Sequence, residues 1–258
     1  MRSSLLHLHL TLAIAAGLTF AHQGLGDAPA DDLIRKGDVF YAKLQPAEAL
    51  KFYLPAEKLD PNNADLLTRI ARQYRHLMSE ATRKEEKLRL GNLAVAYSRR
   101  AVALAPNDPE AQLSVAISYG KVLPFQSSGE QFENSRLIRN AAEKVVKLDP
   151  RNDLGWHVLG RWSLNMAEVS PVKRAMARLV YGELPPAKYE DAERCFEKAI
   201  ALNPNRLMHY IELGRTFAGM DRDEEARKYI NKGLAMAETE KDDPETKNLG
   251  RTILKKLH

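Results

Sequence analysis

Five basic side chains are spaced so that they could bind acidic groups along one surface of a helical repeat: Arg72, Arg75, His157, Arg161 and Arg215. When the repeating segments of the chain are aligned on their shared prolines and glycines, Arg72, Arg161 and Arg215 occupy one position. Arg75 and His157 each lie about one helical turn from a member of that set. Because guanidinium groups bind carboxylates and phosphates through paired hydrogen bonds, the pattern predicts a basic stripe for an acidic ligand. The alternative is that each arginine pairs with a neighbouring acid or faces water, since 39 basic residues place some on any surface by chance.

The other reactive residues do not form a catalytic or metal-binding motif. Cys195 is the single cysteine and lies beside Phe196 in an amphipathic stretch, which favours a small buried side chain over a nucleophile. No two histidines after residue 21 have the spacing of zinc ligands on one helical turn, and glycine-rich phosphate loops and the Gly-x-Ser-x-Gly turn are absent. The sequence therefore predicts no enzyme, no catalytic residues, no metal and no cofactor.

Composition indicates a helical protein that carries a mild positive charge. The 258 residues are 44% hydrophobic and 28% charged, and the formal net charge is +5. This balance excludes a protein with many membrane spans and does not require nucleic acid as a partner. Alanine, leucine, glutamate, lysine and arginine recur throughout, and these are among the better helix formers. A single cysteine rules out an intrachain disulfide.

The first thirty residues differ from the rest of the chain. Arg2 is followed by an apolar run that ends at Phe20 and is too short to span a bilayer comfortably. We interpret residues 1–30 as a secretory signal peptide with a short linker, and 31–258 as the folded domain. Export to the periplasm or the medium is expected for a bacterial source. A mitochondrial presequence or an uncleaved membrane anchor is the alternative for a eukaryotic source.

A helical repeat runs through residues 31–240. Four segments end alike, each with leucine, a short polar turn and a proline, at Pro61, Pro106, Pro150 and Pro204. A bulky residue followed by a small one recurs upstream, as in Leu159-Gly160 and Leu213-Gly214. This pattern resembles the tetratricopeptide repeat, a pair of antiparallel helices in which a large side chain packs over a small one. It predicts an all-α solenoid of about five helix hairpins.

Two further helices are predicted outside the regular hairpins. In the fourth unit, Ser170-Pro171 can begin an inserted helix and Gly182 can end it. Its apolar side is expected to pack against its own repeat, with Trp162 as a brace, although a basic amphipathic helix can also lie on a membrane. After the fifth unit, Asp243-Pro244 begins a C-terminal helix that should cap the apolar end of the stack.

The fourth unit also carries a more specific likeness. Its segments Trp156–Trp162, Pro171–Lys173 and Tyr181–Pro185, with the helix from Tyr189 to Ala199, are similar to the regulator of microtubule dynamics protein family. The resemblance covers roughly residues 32–220. It implies an all-α repeat fold without enzymatic activity, and association with microtubules or membranes. Tubulin is expected as a partner on the ground of this resemblance alone.

Two functions remain open at this stage. The first is a non-catalytic scaffold that binds a protein or peptide partner, such as an acidic tail, in its concave groove. The second is a carrier of a phospholipid or another apolar ligand, in which the lengthened units wrap into a partly closed tunnel. In both, the basic stripe supplies the electrostatic contacts.

Overall fold

The computed structural model describes residues 29–258, which form α-helices joined by short turns. Within that range there are twelve α-helices and one 3₁₀ turn at Leu123–Phe125. The α-helices are α1 (Pro29–Ala42), α2 (Pro46–Leu59), α3 (Ala64–Glu80), α4 (Lys84–Leu104), α5 (Pro109–Val122), α6 (Ser128–Leu148), α7 (Asp153–Ala167), α8 (Pro171–Tyr181), α9 (Tyr189–Leu202), α10 (Leu207–Gly219), α11 (Asp223–Ala235) and α12 (Asp243–Leu254). The signal-peptide prediction lies outside the described residues except for Pro29 and Ala30, which begin α1.

Five helix hairpins stack along the chain, as predicted. Helix α1 pairs with α2, α3 with α4, α5 with α6, α7 with α9, and α10 with α11. The all-α solenoid is therefore confirmed, including the inserted helix α8 in the fourth unit. The lengthened second and third units are explained by α4 and α6, which have 21 residues each.

Local sequence signals set where these helices begin. The side chains of Asn63 and Asn152 accept hydrogen bonds from the backbone amides of Leu66 and Gly155, at 3.0 and 2.9 Å. Such bonds satisfy amides that have no partner within the helix. Proline occupies the first turn of α2, α5, α8 and α12, where its missing N–H costs nothing.

The core forms where bulky side chains on one helix meet glycines on its partner. A Cβ atom built on Gly160 would lie 2.8 Å from Cε1 of Phe196, which is fully buried on α9. On Gly214 it would lie 2.5 Å from Ile230 Cγ1 and 3.0 Å from the backbone oxygen of Ala226. These glycines let the paired helices approach closely.

Helix α12 caps the last hairpin, as the sequence predicts. It packs against α10 and α11, and its Ile253 and Leu254 border the cluster formed by Leu207, Ile211 and Ile230. The apolar end of the stack is thereby covered.

The predicted packing of α8 is wrong. None of its residues is buried, and the side chains of its apolar side face solvent, namely Val172, Met176, Leu179 and Val180. Trp162 does not brace it. The Trp162 indole instead donates a hydrogen bond to Ser135 Oγ at 3.0 Å and lies under the Arg139 guanidinium at 4.8 Å. A helix whose apolar stripe is turned outward cannot be recognised from its periodicity, because the same periodicity fits either orientation.

Candidate functional site: a cavity on the concave face

The first helices of successive hairpins enclose a cavity of about 630 Å³ on the concave side of the stack. Its wall combines α3, α5, α7 and the start of α10 with the segment 239–243, which connects α11 to α12. The volume lies within the range of about 300–1,000 Å³ that is usual for ligand pockets. Four of the five predicted residues line it, namely Arg72, Arg75, His157 and Arg161, whereas Arg215 does not.

Arg75 is a buried cation without a carboxylate among its hydrogen-bond partners. Its Nη1 donates to the hydroxyls of Ser114 and Ser118, both at 3.0 Å. Burial, together with the neighbouring Arg72, lowers the pKa of Arg75 to about 9. Arg72 itself donates a hydrogen bond from Nη1 to the Tyr41 hydroxyl at 2.8 Å and lies 3.6 Å from Glu110. This part of the wall is therefore rich in positive charge that the protein only partly neutralises.

His157 belongs to a buried chain of polar groups. Its Nδ1 lies 3.0 Å from Nδ1 of His209, and Nε2 of His209 lies 2.9 Å from Oδ2 of Asp153. When both rings are neutral, this geometry fits His209 donating to Asp153 and accepting from His157. Burial lowers the pKa of each histidine, and the adjacent His209 lowers that of His157 further. The pair therefore forms a neutral polar network at ordinary pH.

Arg161 and Arg215 share the buried carboxylate of Glu212, at 3.3 Å each. Arg215 is also held by Glu168 at 2.5 Å and by Asn165 at 3.2 Å. It thus follows the alternative in which an arginine of the stripe pairs with neighbouring acids. The side chain of Arg161 is 52% exposed and makes the weaker contact, so it is the more accessible of the two.

We call residues 239–243 the strap, because they cross from the fifth unit to the first three. Asp242 contacts Lys121 Nζ and Ser79 Oγ, both at 2.7 Å, while Lys241 reaches Glu80 at 2.5 Å and the carbonyl of Leu44 at 3.4 Å. The strap thereby bridges one side of the concave face, a connection that no motif in the sequence predicts.

Comparison with known protein families identifies the family of this chain. The profile described as regulator of microtubule dynamics protein 1-3 matches residues 33–258. The chain belongs to this family. The resemblance noted in the fourth unit is therefore confirmed, and the match extends through the C-terminal cap as well.

Members of the regulator of microtubule dynamics family are similar along most of this chain. Regulator of microtubule dynamics protein 1 of Mus musculus is 26% identical over 219 residues, which are 83% of this chain and 71% of the mouse protein. Protein 2 of Macaca fascicularis is 25% identical over 75% of this chain, but the match covers only 47% of that protein. A thermophilic TPR protein of Thermus thermophilus has the same fold, with a TM-score of 0.61 at 18% identity, covering 87% of this chain and 98% of its own.

The cavity of this family member contains groups that sequence reasoning missed. Asp153, His209 and Arg206 lie close together, and Arg206 forms ion pairs with Asp153 at 3.0 Å and with Glu240 of the strap at 2.8 Å. His209 and His157 are 52 positions apart in the sequence. Their contact could have been predicted only from the register between the two hairpins.

The described residues 29–258 contain neither a cluster of metal ligands nor an activated thiol. Within residues 29–258, no three His, Cys, Asp or Glu side chains are grouped as metal ligands would be. Burial raises the pKa of the Cys195 thiol to about 11, which disfavours the thiolate that a nucleophile requires. Over the same residues, no helix has the length and apolar character needed to cross a bilayer. The repeat fold and the family match both support a scaffold.

Proposed function

We propose that the chain is a non-catalytic scaffold that holds an acidic segment of a protein partner in its concave cavity. The observation that carries the proposal is Arg75, a buried cation in the cavity wall whose hydrogen bonds go to serine hydroxyls. Asp242 and Glu110 interact with Arg75 electrostatically but do not hydrogen-bond to it. A buried ion without a directly bonded counter-ion is costly, and a carboxylate from a ligand would offset that cost. Arg72 and the exposed Arg161 line the same cavity and would supply further charge-assisted hydrogen bonds.

The carrier hypothesis is less well supported. The wall includes charged side chains of both signs from α3, α5, α7 and the strap, and an acyl chain packed against them would leave them without partners. An extended protein segment satisfies such a wall better, because its backbone and side chains offer donors and acceptors. Native mass spectrometry of the purified chain separates the two functions, since co-purified lipid would contradict the protein scaffold.

Photo-crosslinking tests the scaffold function directly. Benzoylphenylalanine is placed at Ile117 in the cavity wall, and at the exposed Arg99 on α4 as the matched control. We expect a protein from the native extract to crosslink at Ile117 and not at Arg99, and Arg161→Glu in the same chain to reduce that product. Equal crosslinking at both positions, or none that Arg161→Glu changes, would refute the cavity as the binding surface.

Microtubules are the partner that the names of the relatives suggest. We propose that this chain binds polymerised tubulin through the same cavity, and we expect it to sediment with microtubules. Arg161→Glu should weaken sedimentation, whereas Arg99→Glu makes the same charge change on the outer face and should not. A chain that stays in the supernatant would remove tubulin as a partner.

For a bacterial source we propose instead that residues 1–30 direct export, which removes tubulin as a partner, and that the mature chain begins near residue 22 or 31. N-terminal sequencing of the protein purified from its source tests this directly. A mature protein that begins at Met1 would refute cleavage.

A further inference from the structure

The inserted helix α8 presents an apolar stripe to solvent. Val172, Met176, Leu179 and Val180 are 70%, 64%, 87% and 70% exposed. At about 100° per residue, these four side chains fall within an arc of about 100° on one side of the helix. The exposed large apolar residues outside α8 in the range 29–258, such as Leu59 and Leu104, occur singly along the sequence. Only a contiguous exposed stripe of this kind requires an explanation.

The outward orientation of the stripe is fixed by contacts on the opposite side of α8. Arg174 Nη2 donates to the carbonyl of Met166 at 2.8 Å, and its Nη1 donates to the carbonyls of Leu184 and Pro185 at 3.3 Å. Tyr181 stacks on Phe132 with the ring centroids 5.6 Å apart. Both anchors lie roughly opposite the stripe on the helical wheel. The helix is therefore attached by its polar and aromatic side, and the apolar side is free.

The charges around the stripe indicate the chemistry of its partner. Helix α8 contains no acidic residue, and its two exposed cations are Lys173, at one edge of the stripe, and Arg178, on the polar side near Arg174. Neither takes part in an ion pair within the described chain, unlike many of the basic residues on the other helices. An apolar stripe on a helix whose charges are all positive matches the boundary of an anionic bilayer, where acyl chains lie beneath a layer of phosphates.

We propose that α8 docks this protein on an anionic membrane surface, with the stripe inserted among the acyl chains and Lys173 at its edge on the phosphates. This surface is separate from the cavity, because no residue of α8 lines it. The inference is therefore independent of the proposed scaffold function.

Vesicle sedimentation of the full chain tests the proposal. Vesicles of phosphatidylserine mixed with phosphatidylcholine are compared with vesicles of phosphatidylcholine alone. We expect binding to the anionic vesicles. Leu179→Glu should reduce it about ten-fold or more, since moving a leucine side chain from water into the acyl chains contributes over one factor of ten. Leu59→Glu, at a residue that is 58% exposed on α2, is the matched control and should bind like the wild type. Lys173→Gln, at the edge of the stripe, should weaken binding about five-fold.

A second measurement follows α8 itself, independently of any contribution from the N-terminal segment. We expect the emission of Leu179→Trp to shift to the blue and to be quenched by brominated acyl chains, whereas Leu59→Trp should show neither effect. Equal behaviour of the two tryptophan variants, or vesicle binding that Leu179→Glu leaves unchanged, would overturn the proposal. A dimer that Leu179→Glu dissociates, in a chain that does not bind vesicles, would assign the stripe to a second copy and overturn it as well.

Discussion

Adding one methyl group at Gly214 tests the packing on which the whole solenoid depends. Gly214 lies in the middle of α10, and its Cβ in Gly214→Ala would lie 3.0 Å from both the oxygen of Ala226 and the nitrogen of Ile230. These are backbone atoms of the paired helix α11, so they cannot rotate away as a side chain would. The two helices must separate instead.

Two opposing effects set the expected magnitude. Overpacking of this kind costs about 1–3 kcal/mol. Replacing glycine with alanine inside a helix stabilises the folded state by about 1 kcal/mol. Because the obstructing atoms belong to the backbone, we expect the upper end of the cost and a net loss of about 2 kcal/mol in the free energy of unfolding. For a domain of this size that corresponds to a fall of about 4–8 °C in Tm.

Gly120 provides a matched control with the opposite sign. It lies near the end of α5, it is exposed, and a Cβ there would meet no atom within 4 Å. Gly120→Ala should therefore gain about 0.5–1 kcal/mol from helix propensity alone. Urea unfolding followed by far-UV circular dichroism measures both variants. If Gly214→Ala proved as stable as Gly120→Ala, close approach at the small positions would not limit hairpin pairing.

Three further predictions concern the core and the cavity. Phe196→Ala should lower the free energy of unfolding, measured with urea, by about 3–5 kcal/mol, because the ring is fully buried. A loss below about 1 kcal/mol would contradict the place of Phe196 in the core. Asp242→Ala removes the contacts to Lys121 and Ser79, so hydrogen exchange at residues 239–243 should accelerate, and unchanged protection would show that the strap is held by other means. Burial and nearby cations lower the pKa of His76 to about 4. On acidification, His76 is therefore protonated in the unfolded chain at a higher pH than in the folded chain, and the folded state loses stability. Between about pH 7.5 and about pH 5.5, the free energy of unfolding of the wild type should fall by about 1.3 kcal/mol more than that of His76→Gln. Equal losses in the two proteins would refute the lowered pKa of His76.

The periodic part of the fold was predictable because each hairpin repeats the same local solution. Leu159-Gly160 and Leu213-Gly214 reveal the close approach of paired helices, and Asn63 and Asn152 mark helix starts within a few residues of each proline. The number of hairpins, the inserted helix and the cap all follow from such short-range signals.

The cavity was predictable only in part, since its contacts join distant segments. Arg75 was identified as an inward-facing residue, but its serine partners lie 39 and 43 positions away. The contact between Ser79 and Asp242 spans 163 positions and depends on the curvature of the entire stack. A short periodic pattern carries no information about that curvature.

Buried polar groups that destabilise the fold lie in the concave wall, and this favours the wall as the functional surface. Arg75 is buried with neutral partners, and the neighbouring His76 has a buried Nδ1 without a hydrogen-bond partner. Both side chains line the cavity, as does the buried His157. A stack that required only stability would place apolar residues at these positions, because a buried polar group that lacks a full set of partners destabilises the fold. Sequences that depart from such local rules tend to do so at functional sites. The same reasoning applies to α8, whose exposed apolar stripe would otherwise reduce solubility without any benefit to the fold.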